Sequence, residues 1–238
     1  MSASVVFTSF NRIKFLKTAV DSFMTLNSYP IDEIIIIDDS AKPEAKEAII
    51  KLYGDRDNFR LLFPPKTLGQ PKAIDTAYEL IDSDYVFHAE DDYLFEGNAN
   101  FIQDSIDIME NDSRVNQVWC RHFSDYFVSH GDVNTMLDQE LLMAPSGVEY
   151  KIVLKDQMGT GWCGFSWNPG LRKMSDYKTI FPDGYQACVR EDDPSFVAEF
   201  RCSELADSHG YGAAILINGC CYNHGAGLSV HEDAESVK

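Results

Sequence analysis

The first 92 residues alternate two hydrophobic periods in a regular order. Residues 5–7 are a short apolar run, Ile13, Leu16, Val20, Phe23 and Met24 follow at helical spacing, and Glu33-Ile34-Ile35-Ile36-Ile37 is a second strand. The same alternation predicts a helix over 44–52, a short strand over 59–63, a helix over 72–81 and a strand over 84–87 that ends at Glu90. Four consecutive isoleucines suit a strand covered on both faces, as parallel strands are, and parallel pairing needs long, usually helical crossovers. The fold class is therefore α/β, with a largely parallel central sheet flanked by helices. Beyond residue 95 the pattern loosens: 101–109 is helical, 115–120 is a strand, and 148–154 alternates as a half-buried strand does. Residues 123–146 carry few signals, and 159–167 is a glycine- and aromatic-rich loop or strand followed by the turn Asn168-Pro169-Gly170.

In open sheets of this kind ligands bind beyond the carboxyl ends of the strands. The polar residues collect at those ends. The first strand runs into Thr8-Ser9-Phe10-Asn11-Arg12, the second into Asp38-Asp39-Ser40, and the fourth into Glu90-Asp91-Asp92. Three carboxylates at the end of an apolar run must meet water, a cation or a cationic partner. Carboxylate oxygens suit Mg²⁺ or Mn²⁺, and an ion held by one or two of them keeps positions open for substrate phosphates. A solvated turn would also accommodate the acids, just as Asn11 and Asp39 could be helix N-caps. Their shared edge favours a ligand site over separate caps.

Length and charge narrow the classes. A chain of 238 residues with 45% hydrophobic content can bury a substantial core, as one large domain or one domain with a small lobe. The 38 acids against 20 Lys and Arg give a formal charge of −18, which repels nucleic acid and anionic membranes and also keeps a protein soluble. A phosphate-bearing ligand must then be held locally by a metal or a few placed cations. No stretch approaches a membrane span and the N-terminus lacks a signal pattern, so a soluble cytoplasmic protein is expected. The six cysteines form no CxxC pair and are expected as free, mostly buried thiols.

The ordered set Val5-Val6-Phe7-Thr8-Ser9-Phe10-Asn11-Arg12, Ile37-Asp38-Asp39-Ser40, Gly69-Gln70-Pro71-Lys72 and Tyr85 to Asp92 resembles the family 2 glycosyltransferases of the GT-A fold. In the second half the resemblance rests on Arg190-Glu191-Asp192-Asp193 with the amphipathic stretch to Arg201, and on Tyr222-Asn223-His224-Gly225-Ala226-Gly227. It implies a single domain over 1–238, with 1–95 the nucleotide-sugar half and 96–238 a smaller, mixed acceptor half. Thr8, Phe10 and Arg12 would line the nucleotide pocket, Asp39 would accept a hydrogen bond from the base, and Lys72 would sit near the ribose or diphosphate. Asp92 would be the metal ligand, with Glu90 and His224 beside it and Asp91 a supporting or ribose contact. The family usually has Asp-x-Asp here, whereas this chain has Glu90-Asp91-Asp92. His231 competes with His224.

The implied reaction is inverting transfer from a nucleotide-diphosphate sugar, a UDP-sugar in the first instance, to a hydroxyl of a glycan or glycoconjugate. Such a displacement needs a stabilised leaving diphosphate and a base for the attacking hydroxyl. Mn²⁺ or Mg²⁺ would serve the first need. Asp192 would serve the second, with Glu191 and Asp193 as alternatives, although acids followed by Pro194 also suit a helix start. Trp162, Phe165 and Trp167 would offer ring faces to the acceptor or belong to the core, with the core favoured for Phe165 and Trp162 the preferred acceptor contact. A sugar-phosphate nucleotidyltransferase, which should carry a glycine-rich basic loop after its first strand, a non-catalytic nucleotide- or carbohydrate-binding module and a phosphohydrolase are the competing classes. Donor base and sugar, acceptor and oligomeric state are encoded in no motif.

Overall fold

The structure, a computed structural model, describes residues 1–123, 125, 137, 140–153, 164–190 and 195–225, with the side chains of 195 and 196 excepted. Strands β1 (Ala3–Ser9), β2 (Ile34–Asp38), β3 (Phe59–Leu62) and β4 (Tyr85–Glu90) alternate with helices α1 (Ile13–Leu26), α2 (Pro43–Tyr53) and α3 (Gln70–Tyr78). They are followed by β5 (Tyr93–Phe95), α4 (Phe101–Asn111), β6 (Val115–Trp119), β7 (Leu142–Met143), β8 (Glu149–Ile152), β9 (Gly170–Lys173), α5 (Met174–Ile180), α6 (Ser195–Ser208), β10 (Gly212–Leu216) and β11 (Cys221–Asn223). The main sheet runs β3-β2-β1-β4-β9-β6-β10-β8-β7.

The N-terminal strands β3, β2, β1 and β4 are all parallel, as the repeated strand–helix pattern requires. The second half is mixed. Strand β9 enters antiparallel between β4 and β6, β10 is parallel to β6, and β8 and β7 close the edge antiparallel. The isoleucines of β2 divide between the faces as the period of two dictates: Ile34 and Ile36 pack with α1 and α2, Ile35 and Ile37 with α3. On the first face Phe7, Phe23, Phe87, Phe95 and Phe101 form a cluster of edge-on and tilted rings. Leu16, Ala19, Val20 and Phe23 supply the buried stripe of α1. The second face packs α3, α5 and α6 against Val6, Ile35, Ile37 and Val86.

A two-stranded sheet decides the site. Cys221, Tyr222 and Asn223 of β11 pair antiparallel with Phe95, Leu94 and Tyr93 of β5. Because β5 begins directly after Asp92, this pairing lays the C-terminal His224 beside the acid run from 130 residues upstream. The described cysteines are free thiols, with Cys120, Cys202, Cys220 and Cys221 buried and Cys188 partly so.

Candidate active site

The carboxyl ends of β1, β2 and β4 and the start of α3 enclose a cleft of about 260 Å³ lined by Thr8, Phe10, Arg12, Asp39, Gln70 and the run Glu90-Asp91-Asp92. The chain leaves β1 through Asn11, whose φ of 58° lies in the left-handed region that asparagine tolerates. Helix α1 begins only at Ile13 with Arg12 at the cap position, so Asn11 is a turn residue and not a cap. Phe10 is 39% exposed at the cleft, a large ring with an open face.

The second strand end is closed by backbone amides. Asp38 Oδ2 accepts the Asn11 N–H at 2.8 Å, and Oδ1 accepts the Ser40 N–H at 3.2 Å and the Ser40 hydroxyl. Asp39 Oδ1 and Oδ2 accept the N–H groups of Leu68 and Gly69 at 2.7 and 2.8 Å, pinning the loop that starts α3. Asp39 is thus an anchor for the cleft wall as well as part of its lining, and not a helix cap.

The fourth strand end is built differently. Arg12 Nη1 donates to Asp91 Oδ1 at 3.1 Å and to Asp92 Oδ2 at 3.3 Å, while its guanidinium lies 4.5 Å from the centre of the Phe15 ring. Asn223 Nδ2 also donates to Asp92 Oδ2, at 3.2 Å, and the His224 N–H donates to the Asp92 carbonyl at 2.9 Å. Gly225 closes over this group: a Cβ there would come within 2.7 Å of both Arg12 Nη2 and Asp92 Cβ, so only glycine lets the backbone approach so closely. Gln70 Nε2 donates to Glu90 Oε1 at 2.9 Å.

Few donors and deep burial shift the acids. Burial is the main cause that pushes Asp91 up to about 7, with Arg12 opposing it and Asp92 adding to it. Glu90 is raised well above the usual carboxylate range, first by burial and then by the negative charges of Asp92, Glu199 and Asp91, against Arg121. His224 is lowered, chiefly by burial, with Arg12 lowering it further and Asp92 opposing.

A divalent ion fits this group in a particular way. Among the described residues no set of three or more His, Cys, Asp and Glu is assembled to hold a metal. Yet Glu90 and Asp92 line the cleft, and the buried His224 Nε2 has no hydrogen-bond partner. Hard carboxylate oxygens at the cleft suit Mn²⁺ or Mg²⁺ shared with substrate phosphates, not a protein-only cage, while the His224 ring lies 5.0 Å from the centre of the Phe15 ring and is not part of the cleft lining.

Other expected residues lie elsewhere. Lys72 does not line the cleft; its Nζ is 3.7 Å from Glu79 Oε1 on the outer side of α3. Trp167 is 3% exposed in the core against Phe165, with its indole N–H unpartnered, which is the core placement open to both rings. Trp162, Glu191, Asp192, Asp193, Cys163 and His231 lie outside the described residues.

Several neighbours had no local signal. Glu199 of α6 accepts the Trp167 N–H at 2.8 Å and the Ser166 hydroxyl at 3.2 Å, joining that helix to the loop before β9. Arg121 binds Asp125 at 2.8 Å and lies 5.4 Å from the centre of the Tyr93 ring, and Asp125 in turn accepts the Asn223 N–H at 2.9 Å. Asp75 of α3 accepts the Tyr177 hydroxyl and the N–H groups of Tyr185 and Gln186 at 2.8, 2.8 and 2.9 Å. It fastens the helix that walls the cleft to the turn that precedes residues 191–193 in sequence.

The fold matches those of known proteins. The chain resembles the mannosyltransferase PcManGT from Pyrobaculum calidifontis in complex with GDP-Man and Mn²⁺, with a TM-score of 0.64 and 14% identity over 96% of this chain and 58% of that one. It is similar to S. aureus TarS 1–349 in complex with UDP-GlcNAc, with a TM-score of 0.60 and 12% identity over 97% of this chain and 62% of that one. The chain therefore spans about three fifths of the length of these structures, with which it shares the GT-A fold. A comparison with curated protein sequences finds no match. The profile of glycosyl transferase family 2 matches residues 4–167, which include the three strand ends of the cleft, and the chain belongs to that family.

Proposed function

We propose that the chain transfers a sugar from a nucleotide-diphosphate donor to a hydroxyl of a glycan or glycoconjugate, with inversion and with the help of Mn²⁺ or Mg²⁺. The observation that carries this reading is the gathering of Glu90, Asp91 and Asp92 at one end of a cleft in a family 2 chain, with the backbone of His224 bound to the Asp92 carbonyl. The other end offers the open ring of Phe10, the Thr8 hydroxyl and the Asp39 carboxylate to a nucleotide. GDP-Man with Mn²⁺ and UDP-GlcNAc, bound by two proteins of the same fold, support a nucleotide sugar and a divalent ion. A UDP-sugar is the first donor to test.

In this reading the fold is one catalytic domain, with residues 1–95 as the donor half and 96–238 as the acceptor half. Asp39 holds the loop that begins α3 and takes a hydrogen bond from the base. Asp92, with Glu90 and His224, holds the ion. When bound, the ion neutralises charge on the departing diphosphate. Arg12 reaches the same oxygens with a forked donor, and Lys72 assists only by leaving Glu79. Asp192 accepts the proton of the acceptor hydroxyl, with Glu191 and Asp193 as alternatives, and Trp162 stacks on the acceptor, with Trp167 supporting from the core. No helix among the described residues is long and apolar enough to cross a membrane, and the free thiols support a reducing compartment, which we take to be the cytoplasm.

The test is turnover of UDP-, GDP- and dTDP-sugars with and without Mn²⁺, followed as nucleoside diphosphate released by slow transfer to water. Metal-dependent release is expected for one donor, with the anomeric centre inverted in the product. Asp192→Asn should lower the rate about 10²- to 10⁴-fold while donor binding persists. Formation of a nucleoside triphosphate and a sugar 1-phosphate when pyrophosphate is added, or binding of the donor without turnover, would instead identify a nucleotidyltransferase or a binding module.

A further inference from the structure

We infer that Arg12 is the resident counter-cation of the Asp91–Asp92 pair, and that a divalent ion can seat on Asp92 only as this guanidinium moves off it. Metal binding is then coupled to donor binding through one side chain. The inference rests on the metal-dependent reading above and adds a role for Arg12 in controlling when the metal binds.

The geometry is that of an occupied cation seat. One guanidinium nitrogen, Nη1, bridges Asp91 Oδ1 at 3.1 Å and Asp92 Oδ2 at 3.3 Å, and the side chain is only 10% exposed. The Phe15 ring supports the guanidinium at 4.5 Å, and the Gly225 backbone covers it so closely that a Cβ would stand 2.7 Å from Nη2. Asp92 Oδ2 also receives Asn223 Nδ2 at 3.2 Å, so two donors already point at one of the two oxygens of this carboxylate. A dication arriving beside the guanidinium meets like charge in a partly buried site, where repulsion is less screened than in bulk water.

A diphosphate offers the guanidinium a better partner. Arginine binds phosphate oxygens in a fork, whereas here one nitrogen serves two separate carboxylates. Transfer of Arg12 to the donor's phosphates would vacate Asp92 as those phosphates bring their own ligands to the ion. By linkage, each ligand then raises the affinity of the other. The protein alone would hold metal weakly, in keeping with the lack of any three-ligand set among the described residues.

The probe is Mn²⁺ alone, followed by the electron-paramagnetic resonance signal of the free ion in the absence of nucleotide. Arg12→Gln removes the resident charge and should bind Mn²⁺ about tenfold more tightly than wild type, a change of about 1.4 kcal/mol. Arg12→Lys keeps a charge without the fork and should fall between them, which preserves the test if the glutamine variant folds poorly. Adding Asp92→Asn to Arg12→Gln should abolish the gain. Equal or weaker Mn²⁺ binding by both Arg12 variants, with wild type itself binding the ion, would overturn the inference and leave the metal-dependent reading standing. No Mn²⁺ binding by any variant, nor by wild type with a nucleoside diphosphate present, would overturn both.

Discussion

The two acidic strand ends of the cleft, Asp38-Asp39 after β2 and Glu90-Asp91-Asp92 after β4, look alike in sequence and are solved by opposite means. Asp38 and Asp39 are buried and accept four backbone N–H groups and a hydroxyl. Their charge is spread over peptide dipoles, and they need no cation. The β4 acids are also largely buried but receive fewer backbone N–H groups among the described residues: Phe10 N–H reaches Asp91 at a long 3.4 Å, and Arg12, Gln70 and Asn223 side chains also donate. Asp91 and Glu90 are accordingly raised, with burial the first cause in each. A buried carboxylate filled by peptide amides positions a loop, whereas one left to a few side-chain donors keeps a less fully compensated charge.

This contrast can be broken at either end. Asp39→Ala should have the largest effect on the fold, because it strips the partners from the Leu68 and Gly69 amides at once; a loss of about 2–3 kcal/mol is expected in denaturant unfolding. Faster hydrogen exchange at those two amides would localise the damage to the start of α3. Unchanged exchange and stability would mean that water replaces the carboxylate freely and that Asp39 serves ligand binding alone.

A smaller effect tests whether donor starvation by itself marks the site. His88 on β4 is fully buried with both ring nitrogens unpartnered, and burial, then Arg172, lowers it well below its ordinary value of 6.5. It is therefore neutral when folded, while the unfolded chain takes up a proton below pH 6.5, so this residue costs stability as pH falls from there. His88→Leu should match wild type to within about 1 kcal/mol at pH 8 and exceed it by about 1 kcal/mol at pH 5.5, measured by denaturant midpoints. An identical pH dependence in the two proteins would contradict the buried, neutral assignment.

The N-terminal half was legible because its signals are local. Strands of apolar residues, helices of period 3.6 and polar strand ends lie within short windows, and β1 to β4 with α1 to α3 fall close to their expected positions. The C-terminal half was less so. Short β5 and β11 have no usable period, and their pairing joins residues far apart in sequence. That pairing brings Asn223 and Gly225 to Asp92; the motif around His224 pointed there, but only the register shows Gly225 as a packing requirement. Glu199 sits on a helix whose apolar stripe does not single it out, and its role follows from Trp167 and Ser166, more than thirty positions away. Lys72 shows the converse limit: its place after Gly69-Gln70-Pro71 suggests the cleft, while the helical turn sends it outward to Glu79 and leaves Gln70 on the wall.

The central claim is that the β4 acids form a cation site serving a bound nucleotide. Calorimetric titration of UDP, GDP and dTDP with and without Mn²⁺, on wild type and Asp92→Ala, tests it most directly. One nucleotide should bind with Mn²⁺ at least about tenfold more tightly than without it, and Asp92→Ala should remove that gain. Binding that ignores both the metal and Asp92 would contradict the account.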